Sequence, residues 1–283
     1  MKQKTIDIIC PLYNASNYIE KLHKSLLKQK NIFINKFRYV LTESDDNTEK
    51  YLKDNNINCR KIKRKEFSHS LVREREALAS DADIVVFITQ DIVIEDDLWL
   101  YKLVKDIDDT NIVATYARQI SKFNNIEKYT RESNYPDKDI IKSKKDIDKL
   151  RLKTFFFSDA ASAINTKVFK ELNGYDNKNL PISEDMYIAY KIIMNGYKIK
   201  YCANSIVYHS HNFTLKEIYK RYKLTGKFFK ENYYLDKYGT TGSGVNLAKY
   251  ILKRIFQEKR FLLLFRYPFD MAARLIGMEV GKR

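Results

Sequence analysis

Between Ala82 and Asp97 the chain reads Ala-Asp-Ile-Val-Val-Phe-Ile-Thr-Gln-Asp-Ile-Val-Ile-Glu-Asp-Asp. Ile84 to Ile88 is an unbroken run of β-branched and aromatic residues. Such a run predicts a strand covered on both faces by helices, as in a parallel sheet. It stops at Thr89-Gln90-Asp91, which puts a carboxylate where a buried strand emerges, the edge of an α/β sheet at which ligands bind. A strand followed by a polar turn carries the same letters, so Asp91 gains meaning only from other segments.

Those segments alternate. Ile6 to Tyr13 reads as a strand ended by Pro11, Asn14 to Asn17 as a turn offering an N-cap, and Tyr18 to Gln29 as an amphipathic helix with Ile19, Leu22, Leu26 and Leu27 on one face. Phe37 to Thr42 is a second strand, closed by the acidic stretch Glu43-Ser44-Asp45-Asp46-Asn47-Thr48 and a short helix. Asn58 to Lys63 is a third strand and Ser70 to Ser80 a helix. The order β-α-β-α-β-α-β predicts a mostly parallel sheet with helices on both faces. Further on, Asp97 to Ile107 reads as a helix and Ile112 to Tyr116 as a strand. Ser121 to Leu150 has no clean period and is expected to run over the surface. A short helix over Thr166 to Leu172 should close with Gly174 as its C′ residue. A helix starts at Ser183-Glu184-Asp185 and runs through Met194. Lys198 to Cys202 and Ser205 to Tyr208 are expected as two edge strands before His209-Ser210-His211, and helix resumes at Thr214.

The balance of 52 Lys and Arg against 36 Asp and Glu, a net charge of +16, points to an anionic partner: nucleic acid, an acidic membrane surface or a phosphate-bearing substrate. Three scattered cysteines, Cys10, Cys59 and Cys202, suggest neither a disulfide framework nor a zinc site, and a cytoplasmic setting is expected. Neither a signal peptide nor a membrane-spanning run is legible. Near the C-terminus, Tyr250 to Arg266 interleaves aromatic and aliphatic groups with Lys and Arg. That suits a helix lying peripherally on the inner face of the membrane, or one packed on the protein with its basic face in water.

Several residues could carry chemistry. Asp91 could ligate Mg²⁺ or Mn²⁺, since a diphosphate completes the shell of a hard cation that has few protein ligands. Asp185 sits in a first helical turn, where the dipole favours an ionised carboxylate suited to a general base; ordinary first-turn acids look the same. His209 and His211, one residue apart at a strand end, are candidate metal ligands. His69 and Arg73 lie one helical turn apart, placed to meet a phosphate or a base, though Arg73 could equally make a surface salt bridge. The absence of GxGxxG, GxxxxGK[ST] and GxSxG signatures argues against a dinucleotide dehydrogenase, a P-loop nucleotidase and a serine hydrolase.

Taken in order, Cys10-Pro11-Leu12-Tyr13-Asn14, Glu43-Ser44-Asp45-Asp46-Asn47-Thr48, Phe67-Ser68-His69-Ser70-Leu71-Val72-Arg73, Thr89-Gln90-Asp91, Phe157-Ser158-Asp159, Ser183-Glu184-Asp185 and Tyr208-His209-Ser210-His211-Asn212 resemble the family-2 inverting glycosyltransferases, and among them the rhamnosyltransferase-like branch. The resemblance implies a GT-A fold over residues 1–225, with a nucleotide-sugar half over 1–120 and an acceptor half over 121–225. Residues 226–283 would form a C-terminal basic and aromatic helical extension. It implies metal-assisted transfer of a sugar, L-rhamnose from dTDP-rhamnose being favoured and a UDP-sugar the alternative, to a hydroxyl of a glycan or lipid-linked glycan. Pro11, Tyr13, Asn14, Glu43, Asp46, His69, Arg73, Gln90 and Asp91 would line the donor site, and Ser158, Asp159 and Glu184 the acceptor side. Asp185 would be the general base, and Asp91 with His209, or alternatively His211, would hold Mg²⁺ or Mn²⁺. An anionic membrane surface and self-association are further partners to consider; nucleic acid is not expected, a basic nucleic-acid-binding protein being the reading of another class. Three departures are visible. A single acid, Asp91, stands where most of the family carries D-x-D, Glu43 stands where Asp is usual, and Tyr187 falls near where Trp is common after the base.

Overall fold

A computed structural model describes residues 4–283, without the side chains of residues 240, 241 and 243. The elements run β1 (Thr5–Leu12), α1 (Ile19–Leu27), β2 (Phe33–Thr42), α2 (Thr48–Asp54), β3 (Cys59–Ile62), α3 (His69–Leu78), β4 (Ile84–Ile88), α4 (Trp99–Val104), β5 (Ile112–Ile120), α5 (Ile126–Asn134), β6 (Ile140–Lys142), α6 (Ile147–Leu150), β7 (Ala161–Asn165), α7 (Thr166–Glu171), α8 (Glu184–Met194), β8 (Lys198–Tyr208), α9 (Leu215–Glu231), α10 (Tyr233–Asp236), α11 (Thr240–Gln257) and α12 (Leu263–Lys282). Among the described residues the chain forms two compact units: residues 4–118 with Asp137–Lys144 and Phe155–Tyr208, and Gln119–Pro136 with Lys145–Thr154 and His209–Arg283.

The first unit is organised by an eight-stranded sheet in the order β3-β2-β1-β4-β7-β5-β8-β6. β1, β2, β3 and β4 are mutually parallel. β7 runs against β4, and β5 against β7, so β5 points with the first four. The mostly parallel sheet read from the alternation is therefore present; β7, antiparallel to β4 with Ala161 opposite Ile88, brings the Ser158-Asp159 turn to the end where Asp91 lies, and β6 and β8 are antiparallel to each other. Every residue from Ile84 to Ile88 is buried, as the apolar run requires. Ile8, Cys10 and Leu12 of β1 with Val86 and Ile88 of β4 share one core with Ile19, Leu22 and Leu26 of α1 and with Trp99 of α4. Leu27, assigned to the same face from sequence, is 62% exposed.

Local differences from the sequence reading have local causes. The expected cap within Asn14 to Asn17 is not made: Tyr18 takes the N-cap position of α1 without a side-chain bond, and the Asn14 side chain accepts from the Asp45 N–H instead. Asn173, at φ 55°, occupies the C′ position after α7, and Gly174 follows it, its N–H bonded to the Phe169 carbonyl at 2.9 Å. The two expected edge strands are one strand, β8, second from the edge beside β6. The polar pause between them, at Ala203, is bridged when its N–H donates to the Asp139 carboxylate at 2.8 Å. β6 itself was not legible; it is only three residues long.

The second unit is helical. Ile126 and Tyr129 of α5 pack with Ile251 and Ile255 of α11. α9 and α12 meet backbone to backbone: a methyl group at Gly281 would lie 2.0 Å from the Lys223 carbonyl oxygen, and one at Gly226 2.2 Å from that of Met278. The stretch from Tyr250 to Arg266, expected as one helix, is the end of α11 and the start of α12, with Ile251 and Ile255 buried and Phe261, Leu262 and Phe265 exposed. No helix among the described residues is long and apolar enough to cross a membrane.

Candidate active site

The carboxyl ends of β1 and β2 and the turn after β4 are knitted by side chains given to backbone groups. Tyr13 N–H donates to Gln90 Oε1 at 2.7 Å and Gln90 Nε2 donates back to the Tyr13 carbonyl at 2.8 Å, so Gln90 ties the β1 exit to the β4 exit. Asn14, in the left-handed region at φ 46°, donates its N–H to Ser44 Oγ and accepts from the Asp45 N–H through Oδ1. Asp46 accepts from the Ser16 N–H at 2.8 Å and from both the N–H and hydroxyl of Thr48. Although partial burial works the other way, these bonds hold its pKa down at about 2. Arg64, which no spacing singled out, pairs with Asp45, donates to the Glu43 carbonyl at 3.1 Å and stacks over the Tyr13 ring at 5.6 Å.

Next to this rim is a buried cluster. Thr89 N–H donates to the Ala160 carbonyl at 3.1 Å, joining the turn that carries Asp91 to the turn that carries Asp159. Arg73, 4% exposed on α3, donates through Nη1 to Glu184 at 2.9 Å and through Nη2 to the Asp159 carbonyl at 3.4 Å. Its Nε is buried without a hydrogen-bond partner, a donor in need of an acceptor. Exposed His69, at the start of α3, lies with Nδ1 3.5 Å from Arg73 Nη1. Asp159 accepts from Ser162 at 2.7 Å and from the Tyr175 hydroxyl at 2.6 Å. Burial raises its pKa to about 6, against the opposing pull of Arg73. The Cys10 thiol, raised by burial, lies within electrostatic range of both Arg73 and Asp91.

Asp185 opens α8 beside Glu184. Ser183 does not cap it: its backbone is left-handed, at φ 63°, and its side chain makes no capping bond. The Asp185 carboxylate accepts from the Met186 N–H at 2.7 Å instead. The dipole expectation of a readily ionised Asp185 is not met. Burial first, then the negative charges of Glu184 and Asp159, push its pKa well above the usual carboxylate range. Within the first unit, Asp159, Arg73, Glu184 and Asp185 are thus linked by bonds and charges, and the turn carrying Gln90 and Asp91 joins them through the Thr89–Ala160 hydrogen bond and through Cys10.

β8 ends where Tyr208 exchanges both backbone hydrogen bonds with Val93, two residues past Asp91. The following residue, His209, opens a segment of the second unit, with its N–H on the Ile120 carbonyl at 2.9 Å and its Nδ1 2.9 Å from Gln119 Oε1. The His211 ring stands edge-on to it, with centroids 4.9 Å apart.

A Rossmann-like parallel half whose strand ends carry a knitted polar rim, beside a buried carboxylate cluster, has the architecture of the GT-A fold class. The glycosyl transferase family 2 model matches residues 7–173. The chain is 34% identical to the O-antigen chain rhamnosyltransferase RfbN of Salmonella typhimurium, over 98% of this chain and 89% of that one. It is 32% identical to the O-antigen chain rhamnosyltransferase WbaN of Salmonella anatum, over 97% and 88%. It belongs to glycosyl transferase family 2. Among solved structures it is similar in fold to the mannosyltransferase PcManGT of Pyrobaculum calidifontis, in complex with GDP-Man and Mn²⁺ (TM-score 0.66, 13% identity, 99% of this chain and 87% of that one). It is also similar to S. aureus TarS 1-349 in complex with UDP (TM-score 0.58, 15% identity, 97% and 90%).

Proposed function

We propose that this enzyme transfers L-rhamnose from dTDP-rhamnose, with inversion, to a hydroxyl of an O-antigen-type glycan. The observation that carries the reading is likeness to two O-antigen chain rhamnosyltransferases along nearly the whole chain. In this reading Pro11, Tyr13, Asn14 and Glu43 line the nucleotide pocket. Asp46, with its oxygens committed to Ser16 and Thr48, holds the two loops in place, and Arg64 closes the rim on Tyr13. Arg73 has its Nε left over for the phosphates while Nη1 anchors Glu184 and Nη2 the Asp159 carbonyl, and His69 lies at the mouth.

Asp185 accepts the proton of the acceptor hydroxyl as that oxygen bonds to the anomeric carbon; the bond from that carbon to the diphosphate oxygen breaks on the opposite face and its electron pair leaves with the diphosphate. A raised pKa makes Asp185 a stronger base once ionised. Ser158 and Asp159 shape the acceptor side; Asp159 does so through Tyr175, Ser162 and Arg73. Asp91 and His209, with His211 as the alternative, would hold Mg²⁺ or Mn²⁺; one carboxylate oxygen and one imidazole nitrogen suit such ions when a diphosphate supplies further oxygens. The bound ion would neutralise charge on the departing diphosphate, and Mn²⁺ accompanies the nucleotide sugar in PcManGT. The exposed Phe261, Leu262, Phe265 and Phe269, near Arg260 and Arg266 in sequence, suit a lipid-linked acceptor presented at an anionic cytoplasmic membrane face.

The test is incubation with radiolabelled dTDP-rhamnose, UDP-glucose and UDP-N-acetylglucosamine, each with Mn²⁺ and a lipid-linked glycan acceptor. Transfer from dTDP-rhamnose with inverted anomeric configuration is expected. Transfer from a UDP-sugar alone would overturn the donor assignment and favour the alternative suggested by the UDP complex of TarS.

A further inference from the structure

We propose that Gln119 and Arg131 are positioning residues that lock His209 in the Nδ1–H tautomer, so that Nε2 is the nitrogen offered to the divalent cation. The inference rests on the reading of His209 as a cation ligand and adds the device that orients it.

Gln119 lies near the end of β5, 1% exposed, and His209 is 6% exposed. An amide oxygen and an amide nitrogen are told apart by their neighbours, and here the neighbour is decisive. Arg131 of α5 donates through Nη1 to Gln119 Oε1. A guanidinium has donors only, so the atom facing it must be the oxygen. That same oxygen lies 2.9 Å from His209 Nδ1. Two acceptors would repel at this distance, so Nδ1 carries the proton. In a neutral imidazole the lone pair is then on Nε2.

Arg131 is itself held. Its Nε donates to Glu127 Oε1 at 2.9 Å, one helical turn back, and its guanidinium stands over the Tyr135 ring at 5.9 Å. The His209 N–H on the Ile120 carbonyl fixes the backbone beside the ring. Glu127, Arg131, Gln119 and His209 therefore form a relay in which each member sets the orientation of the next. Outer partners of this kind typically change metal affinity by 10–100-fold when removed.

The first measurement uses the unaltered protein without metal: a long-range ¹H–¹⁵N correlation spectrum of its histidines near neutral pH. We expect His209 to show a protonated Nδ1 and an unprotonated Nε2. A proton on Nε2 would overturn the proposal. The second follows free Mn²⁺ by electron paramagnetic resonance in titrations of four proteins. His209→Ala should lose affinity, Gln119→Leu should lose about 10–100-fold, and Gln119→Glu, which keeps an acceptor facing both donors, should retain it. If His209→Ala binds Mn²⁺ like the unaltered protein, the reading of His209 as ligand fails. If His209→Ala weakens binding and Gln119→Leu does not, the positioning role alone fails.

Discussion

The loop after β2 and the first turn of α8 are spelled with similar letters, Glu-Ser-Asp-Asp before one helix and Ser-Glu-Asp at the start of the other, yet their carboxylates are driven in opposite directions. Asp46 sits among donors: two backbone N–H groups and a hydroxyl hold it ionised. Asp185 has one such bond, to Met186, and faces burial and two neighbouring acids. The first arrangement makes a rigid staple and the second a carboxylate that binds its proton tightly, as the proposed general base would. Position in a helix turn does not separate the two roles; the surroundings do.

The contrast can be broken most severely at Asp185. Asp185→Asn should lower kcat by about 10²–10⁴-fold, the usual contribution of a general base. Donor binding measured by calorimetry should be unchanged; a parallel loss of donor affinity would mean that Asp185 serves the donor site. Next in size is Arg73→Met, which strands the buried Glu184 carboxylate. Thermal or urea unfolding should show a loss of about 3–5 kcal/mol, the cost of breaking a buried pair by removing one partner. Adding Glu184→Gln should recover much of it, and failure to recover would show that Arg73 is held by other groups.

Asp46→Asn sharpens the other side of the comparison. One amide N–H₂ must then face a donor, with an expected loss of about 1–3 kcal/mol and a raised KM for the donor. The native pKa of Asp46 is depressed, so its stabilisation is present above the ordinary aspartate range and is lost as pH falls through about 2. Acid unfolding of Asp46→Asn should lack that component. The smallest effect is expected for Glu184→Gln alone. It removes a negative charge beside Asp185, so the base should ionise more readily and the acid limb of kcat should move to lower pH. A shift to higher pH would contradict the role given to Glu184.

Much of this was open to reading from the chain because it is local. Ile84 to Ile88, the apolar face of α1 and the acidic stretch after β2 each declare themselves within about ten residues, as does the start of α8. The cluster around Arg73 does not. Its partner Glu184 is 111 positions away, and neither a turn signal nor a period connects them. Arg64 is one of a run of basic residues and Gln119 follows Arg118 at a strand end; nothing local singles either out, and only folding gives them their partners. Tyr175 could not be told from any other aromatic before its hydroxyl met Asp159. Gly277 and Gly281, four residues apart on α12, were a legible sign of close helix packing that the basic and aromatic pattern around them obscured. For Asp185, sequence supplied the location, while its protonation behaviour depends on burial and on Asp159, neither of which is written locally.

The pH dependence of kcat for the unaltered enzyme, compared with Asp185→Asn, bears most directly on the central claim. The account predicts an acid limb lying above the ordinary aspartate range in the unaltered enzyme and absent from the residual activity of the variant. A rate that stays level down through that range, or a limb that persists in Asp185→Asn, would contradict it.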